Sequence, residues 1–562
     1  MKIWSKHKEP LLVFSFVFIL SLFLFGNFLG AGYILDDHSV IENREELREF
    51  SAVYKVFLMP WHQNQPEQGN YRPLTLLSYA LTLSWSESTA TMRFINILIH
   101  AANAALIFYL IRLFSSKNLA YFIAIGFSFL PINTGTVLLL VGRSDILGAF
   151  FILLSVIFFF KEKQIWSIFC FFLALLAKEL SIFLLPAIVL LSVFLKKHKF
   201  SKVFKIALYY CLVLVPYLFL RFLALGTQAF KSQSSVDPII GPLAFVSLKE
   251  RILSGFVYFY LYLRKTFIPT GLSPDYSFNQ IPVPEILSLG LIMGLVLFLG
   301  AVLMFFKSKD FKLKAPIILF LVPFGLISNT FFVTTGTFAE RWWYFPSIGL
   351  LWFVSVLVWK ILENKKRPIV HYLSFSIFII GTFYLFVSFE QAKIWTDERR
   401  LFIAASERSP NSAWARANLA AVYFKDKNFD LAKGEVEKSL RISENYPAAL
   451  NIYAKLMWRE ERFDEAELAF KRALEYDKNK RNNRDLYRSL AILKLETKNY
   501  DNAKNYIEKA KNSTAFGDIE KTIYLDNLLL VYVSNLAQNK PNTLSDQENK
   551  ITEALIAHIK GF

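Results

Sequence analysis

Leu11 to Gly30 reads LLVFSFVFILSLFLFGNFLG, a run of 20 residues with no charged side chain. At the helical rise such a run is roughly 30 Å long, the thickness of a bilayer's hydrocarbon core. Lys2, Lys6 and Lys8 precede it, as in a secretory signal peptide. The apolar region of a signal peptide is shorter, about 7–15 residues. The run therefore reads as a retained anchor. Further apolar stretches follow near 94–114, 119–140, 145–160, 165–177, 180–195, 203–224, 285–306, 314–333, 345–361 and 369–389. The expected fold class is all-α, beginning with a polytopic membrane domain of about 11 transmembrane helices over residues 1–390.

Composition agrees. The chain of 562 residues is 54% hydrophobic and 19% charged, against roughly 25% charged in soluble domains. That excludes a disordered chain and a wholly soluble enzyme. Cys170 and Cys211 are the only cysteines and both lie in apolar runs, so no disulfide framework is expected.

The net charge of +18 does not point to nucleic acid once its placement is followed, and no nucleic-acid partner is expected. With a cytoplasmic N-terminus, eleven alternating spans leave 1–10, 112–118, 161–164, 196–205, 307–314 and 360–368 inside. These segments hold 20 Lys and Arg against four acids; the rest of residues 1–390 holds 14 basic and 16 acidic side chains. Cytoplasmic loops carry such an excess. Reading 165–195 as one span would put Lys196-Lys197-His198-Lys199 outside, so two short spans meeting at Lys178-Glu179 are expected. The aromatic stretch 249–268, charged at both ends, reads as an interfacial or re-entrant helix on the outer face. An odd number of spans leaves the C-terminal region outside the cytoplasm.

Beyond Glu390 the chain is strongly charged and nearly neutral, with 29 basic and 25 acidic residues. It also repeats. Phe429-Asp430-Leu431-Ala432 recurs 34 residues on as Phe463-Asp464-Glu465-Ala466, and 37 further on as Tyr500-Asp501-Asn502-Ala503. Ala420, Ala454 and Ala491 recur in phase, each 12 residues earlier than the Ala that closes its motif. A 34-residue period with small residues where two helices touch is the tetratricopeptide signature. About three repeats are expected over 391–511, the three extra residues falling in the turn at Lys480–Arg484. Residues 512–562 form a capping helix (517–537), a polar linker (538–547) and a tail. Such solenoids bind peptides or partner helices.

Chemistry at a bilayer needs ionisable groups at its edge. The first outer loop, 31–93, opens with Tyr33-Ile34-Leu35-Asp36-Asp37-His38. Asp36 and Asp37 are suited to general-base work, each raising its neighbour's pKa; a helix cap beside a solvated acid is the plainer reading. Tyr71-Arg72-Pro73 closes the loop with a cation able to grip phosphate or to anchor at the interface. In Gly142-Arg143-Ser144-Asp145, Arg143 and Asp145 either pair together or face substrate. Lys178-Glu179 places charges near membrane depth, where they are costly unless functional or mutually satisfied. Arg264-Lys265 leads to Ser273-Pro274-Asp275-Tyr276. Glu340-Arg341-Trp342-Trp343-Tyr344 lies at a span boundary, where an aromatic belt is the plainer account of the tryptophans. Arg72, Arg143, Asp145, Lys178, Glu179, Arg264, Tyr276, Glu340 and Arg341 are the substrate-binding candidates. There is no nucleotide phosphate loop and no HExxH, and the seven histidines lack metal spacing. No metal or cofactor is expected.

In order along the chain stand Asp36-Asp37, Tyr71-Arg72-Pro73-Leu74, Asn96-Ile97-Leu98-Ile99-His100-Ala101-Ala102-Asn103, Gly142-Arg143-Ser144-Asp145, Ala177-Lys178-Glu179, Ser273-Pro274-Asp275-Tyr276 and Glu340-Arg341 through Pro346-Ser347. With the C-terminal repeats, this series resembles the transmembrane and tetratricopeptide-repeat-containing O-mannosyltransferases and their bacterial relatives, polytopic glycosyltransferases of the GT-C fold. The resemblance covers nearly the whole chain. It implies transfer of a sugar, mannose in eukaryotes, from a polyprenyl-phosphate donor to Ser or Thr of a protein, with inversion. Asp36 or Asp37 would be the base; charge and placement, apart from the resemblance, make Arg72, Arg143, Lys178, Arg264 and Arg341 candidates for the lipid-phosphate side. Eukaryotic members carry many more repeats. The short, Lys- and Asn-rich chain reads as a bacterial inner-membrane protein, its repeats periplasmic. The expected partners are the lipid-linked sugar, membrane lipids, and a protein or peptide held by the repeats. A non-enzymatic repeat scaffold for an envelope complex and a lipid-linked saccharide ligase or polymerase are the rival readings. A reporter fused after Glu390 is expected to be active only outside the cytoplasm; activity in the cytoplasm overturns the topology.

Overall fold

The computed structural model describes residues 2–561 except 64–67, 231–236, 285–287, 335, 363–366, 478–482, 514–518 and 539–542. Parts of the expected 285–306 span, the 360–368 loop, the 480–484 turn, the 517–537 cap and the 538–547 linker thus lie outside the described residues. Among those described, every regular element is helical. Seven helices are long and apolar enough to cross a membrane: Lys8–Phe28, Thr89–Arg112, Leu140–Phe160, Phe200–Phe230, Leu289–Lys307, Glu340–Ile361 and Ser376–Thr396. The chain is an all-α, multi-pass membrane protein.

The other four expected spans take different forms. Lys117–Ser128 and Pro131–Leu138 are one run bent by 49°, since proline removes a helical hydrogen bond. Gln164–Ala177 and Glu179–Phe194 are short apolar helices, parted where Lys178 turns extended (φ −156°, ψ 126°). Phe311–Ile327 carries Pro316 and Pro323 inside and packs along Tyr344–Leu362. The expected outer loop contains an unanticipated short apolar helix, Pro73–Leu83, with Pro73 in its first turn, the position that suits a residue lacking N–H. Leu248–Phe267 starts with a complete capping box from Ser247 and Glu250 and lies against Leu289–Lys307.

Basic segments assigned above to one side meet at one end of the bundle. Lys117 pairs with Glu9 at 2.7 Å, Lys196 with Glu162 at 3.2 Å and Lys360 with Asp310 at 2.6 Å. The candidate residues gather at the other end.

There, the Thr89–Arg112 helix turns a row of buried polar side chains, Arg93, Asn96, His100 and Asn103, to its neighbours. Spacings of three and four put them on one face. Arg93 donates to the carbonyls of Leu29, Ala31, Gly32 and Leu138. Asn96 donates to Val137 and Leu139, each at 3.2 Å. His100 meets the Tyr344 hydroxyl at 2.6 Å and the Ser128 carbonyl at 3.0 Å. Gly142 is required by close approach, since a Cβ there would strike the Thr136 carbonyl.

After Glu390, helix pairs Ala413–Lys425/Phe429–Ile442, Pro447–Arg459/Phe463–Tyr476 and Asn483–Glu496/Tyr500–Lys511 stack in series, followed by Ile519–Ala537 and Asp546–Lys560. The in-phase alanines 420, 432, 454, 466, 491 and 503 are all buried between helices. Lys427, Glu461 and Lys498 are left-handed (φ +59°, +61°, +56°) at the turn of each pair, spaced by the same 34 and 37 residues. The last pair is tied to Ile519–Ala537 by a fully buried carboxylate. Asp526 accepts from Arg488 Nε at 2.6 Å, with Arg484 at 3.4 Å. Replacing Asp526 with Ala strands two buried guanidinium groups, a change that costs about 3–5 kcal/mol in such pairs. Thermal unfolding of the purified D526A chain should show a markedly lowered transition.

Candidate functional site

A cleft of about 260 Å³ opens where the membrane helices meet the first helix pair. It is lined by Asp36, Asp275, Tyr276, Arg341, Trp342 and Trp414, among others. Three segments distant in sequence build it, and each is pinned by its own contacts.

The first is the turn after the N-terminal span. Arg93 holds the carbonyls of residues 29–32, and Asp37 closes the turn that follows: its carboxylate accepts from Val141 N at 2.9 Å and Ile34 N at 3.4 Å. Asp37 is fully buried; Asp36 beside it is half-buried and lines the cleft. The adjacent acids therefore have different surroundings. Burial pushes the Asp37 carboxyl up to about 7, against the opposing pull of its backbone hydrogen bonds and Arg93. His38 next to it pairs with Glu42, and through Nε2 with Glu398 at 3.2 Å, fastening this turn to the linker before the repeats.

The second is the loop 272–280, clamped between the two halves of the chain. Asp275 accepts hydrogen bonds from Ser277 Oγ and Ser412 Oγ, each at 2.5 Å, and its carbonyl accepts from Ser409 Oγ at 2.6 Å. Backbone bonds from Asn279 N to the Asn411 carbonyl (2.7 Å) and from Ala413 N to the Phe278 carbonyl (2.8 Å) continue the seam. Burial raises the Asp275 pKa. The third segment is Glu340–Trp343. Glu340 is bound by the Tyr276 hydroxyl and by Ser273 N at 2.9 Å, so Glu340 and Tyr276 lock two walls together.

The ionic candidates sort into spent and unspent groups. Arg72 is committed to Glu179 through Nε at 2.9 Å and Nη2 at 2.5 Å, and it covers the Trp61 ring at 4.8 Å. Lys178 is paired with Asp145. Lys178 and Glu179 thus do not satisfy each other, and Asp145 does not pair with Arg143. Arg143 is fully buried, donating to Asn96 Oδ1 at 2.8 Å and the Met92 carbonyl at 2.8 Å, with its guanidinium 4.6 Å from the Tyr79 centroid. It lies away from the cleft. Arg264 stays outside the lining and bonds Thr270 at 3.0 Å. Among the described residues, the Arg341 side chain makes no hydrogen bond or ion pair while lining the cleft, the same cleft that holds Asp36.

Lys178 and Asp145 stand at the mouth of a second, smaller cavity, otherwise mainly apolar, between membrane helices; Gly148, Ile152, Phe183 and Phe345 line it. Trp342 borders both cavities. Asp36 lies within electrostatic reach of Arg72, so the two cavities belong to one charged neighbourhood. Reading residues in sequence order misses Trp342 and Asp275 as lining groups, although both sit inside quoted motifs. It misses Trp414 altogether, whose one signal is its place at the start of the first repeat.

No family model matches the chain. Curated relatives do. Over 72% of its length the chain is 24% identical to protein O-mannosyl-transferase F38B6.6 of Caenorhabditis elegans, covering 59% of that protein. It is also 24% identical to protein O-mannosyl-transferase TMTC3 of Homo sapiens, over 72% of this chain and 48% of that one. A stretch of 149 residues is 30% identical to protein O-mannosyl-transferase tmtc2 of Xenopus laevis, covering 25% of this chain and 18% of the relative. The chain spans about half the length of the longer curated relatives it matches, and it is related to these O-mannosyl-transferases.

The contrast between the two aspartates has a measurable consequence. A carboxyl whose pKa is raised on folding binds its proton more tightly in the folded state, so folded stability falls as pH rises from the ordinary Asp value near 3.8 to about 7. Replacing Asp37 with Asn should remove that component. Melting temperatures of the parent chain and D37N, followed from pH 4 to pH 8, should diverge across this window and run parallel above it.

Proposed function

We propose that the chain is an integral-membrane glycosyltransferase that moves a sugar from a polyprenyl-phosphate donor to an acceptor hydroxyl of a protein, on the extracytoplasmic face. The observation that carries the reading is one cleft holding a half-buried carboxylate, Asp36, and a guanidinium, Arg341, that is unpaired among the described residues. Relatedness to proteins named O-mannosyl-transferases supports the same class of chemistry.

In this reading the acceptor Ser or Thr enters between Trp342 and Trp414. Its hydroxyl oxygen attacks the anomeric carbon in line with the phosphate. As the new C–O bond forms, the bond from that carbon to the phosphate oxygen breaks, and the configuration inverts. The hydroxyl proton passes to the Asp36 carboxylate, which later yields it to water. The electron pair leaves with the polyprenyl phosphate, whose charge Arg341 receives. An unpaired Arg suits this task because its fork matches phosphate oxygens and no carboxylate must be displaced first. Trp342, which borders both cavities, separates the donor side from the acceptor side. Asp37, Arg93 and Arg143 hold the frame. The bacterial inner membrane, undecaprenyl phosphate as carrier, and tetratricopeptide repeats that meet the acceptor complete the proposal.

Positioned general bases contribute about 10²–10⁴-fold. In membranes supplied with labelled polyprenyl-phosphate mannose, D36N should lose at least about 100-fold in transfer. R341A should chiefly raise the KM for the donor. Wild-type activity in D36N overturns the mechanism, and label appearing in a glycan instead of protein favours a saccharide ligase.

A further inference from the structure

The C-terminal helix Asp546–Lys560 does not stack as one more member of the series. It packs on Ile519–Ala537 and on Asn483–Glu496, then runs on toward the first pair. Lys560 forms an ion pair with Glu496, and its ammonium stands 5.8 Å from the Trp458 ring centroid. Trp458 Nε1 in turn donates to the other oxygen of Glu496. Gly561, left-handed at φ +71°, sits so close to the first pair that a Cβ would come within 3.0 Å of Phe424 Cε1. Lys560 and Gly561 thus meet the C-terminal ends of the first helices of all three pairs, at Glu496, Trp458 and Phe424. Phe424 and Trp458 are equivalent positions, 34 residues apart. A surface that presents the same position of successive repeats is the continuous face along which a solenoid takes an extended partner.

The tail sits on that face lightly. Of its residues only Thr552 and Ile559 are buried. Leu555 and Ile556 are half-buried, and Ala554, Ala557 and His558 are exposed. It therefore presents an aliphatic stripe, a cation at its end for Glu496, and an outer side that no described residue covers. The same Ala413–Lys425 helix that ends near Gly561 begins with Trp414 in the cleft wall. Ten residues, about 15 Å along the axis, separate the two contacts.

We infer that this face is a docking groove for an amphipathic helical segment of the acceptor protein, and that the chain's own C-terminal helix is its resting occupant, displaced when the acceptor binds. The inference rests on the reading above in one respect, that the repeats meet the acceptor. The tail shows the chemistry the groove selects: aliphatic residues one turn apart, ending in Lys or Arg. Its tether makes it a competitor of high effective concentration, so acceptors weaker than the tail are refused.

The test uses a labelled peptide of residues 546–561 and the detergent-solubilised full chain, without donor. Three proteins are compared: the parent, a chain ending at Ser545, and the full chain carrying L555D and I559D. The last two should bind the peptide at least about tenfold more tightly than the parent, and a peptide carrying K560E should bind only when E496K is also present. Equal binding by all three proteins overturns the inference. So does a folded L555D/I559D chain, with an unchanged main thermal transition, that binds no peptide. Binding is read in the absence of transfer, so a D36N chain that keeps wild-type transfer while the three proteins bind peptide as expected would refute the catalytic reading alone.

Discussion

Backbone carbonyls freed where helices break at membrane depth must find donors inside the protein, because lipid offers none. In this chain that demand converges on one face of Thr89–Arg112. Around it the α-helical backbone is interrupted at residues 29–35 and, on either side of Thr134–Leu138, between 129 and 142, and Arg93, Asn96 and His100 reach carbonyls in or beside both breaks. Arg143 closes the arrangement from the other side, on Asn96 and the Met92 carbonyl. Two guanidinium groups bound largely to neutral acceptors leave positive charge in the interior. Asp37 lies in the field of both, and its position between Ile34 N and Val141 N joins the two breaks.

The division of labour between adjacent acids follows from that frame. A carboxylate spent on backbone amides and buried cations is poorly placed to meet a substrate, so Asp37 holds the turn. The same turn carries Asp36 out to the cleft wall. Similar reasoning sorts the cations. Arg72 and Lys178 each have a close carboxylate, and Arg143 is buried outside the cleft lining; among the described residues the Arg341 side chain has no polar partner. Among the described residues, binding an anion there requires no ion pair to be broken first, which suits the phosphate-side role proposed for it.

Period and composition are local properties, and what depends on them is legible in the chain itself. Uncharged runs of twenty residues mark the membrane helices, and the recurring alanines mark where helices in the C-terminal region touch. Short or bent elements are harder to read. Pro73–Leu83 is too brief to stand out as apolar, and Pro131 interrupts a run that composition alone treats as continuous. The partners of individual charges are not legible at all. Nothing in Gly142-Arg143-Ser144-Asp145 says that Arg143 will meet Asn96, 47 residues away, or that Asp145 will turn to Lys178. Motif order locates the right neighbourhood, whereas burial and pairing decide which member of each motif remains available.

The cleft belongs to neither half of the chain alone. Its floor comes from the turn after the first span and its side from Glu340–Trp343, but the loop 272–280 that completes it is shaped by Ser409, Ser412 and the backbone of 411–413. Asp275 shows why this contact is firm. A buried carboxylate is stable only while its hydrogen bonds are kept, and its Oδ2 accepts from Ser412 as well as from Ser277 N. Any displacement of the first helix pair would leave that acid short of a donor and would withdraw Trp414 from the wall. Repeats joined to the membrane domain by a loose linker could move freely without touching the chemistry; here their position is one of the conditions for the cleft to exist. The position of the helix pairs is thereby coupled to the geometry around Asp36.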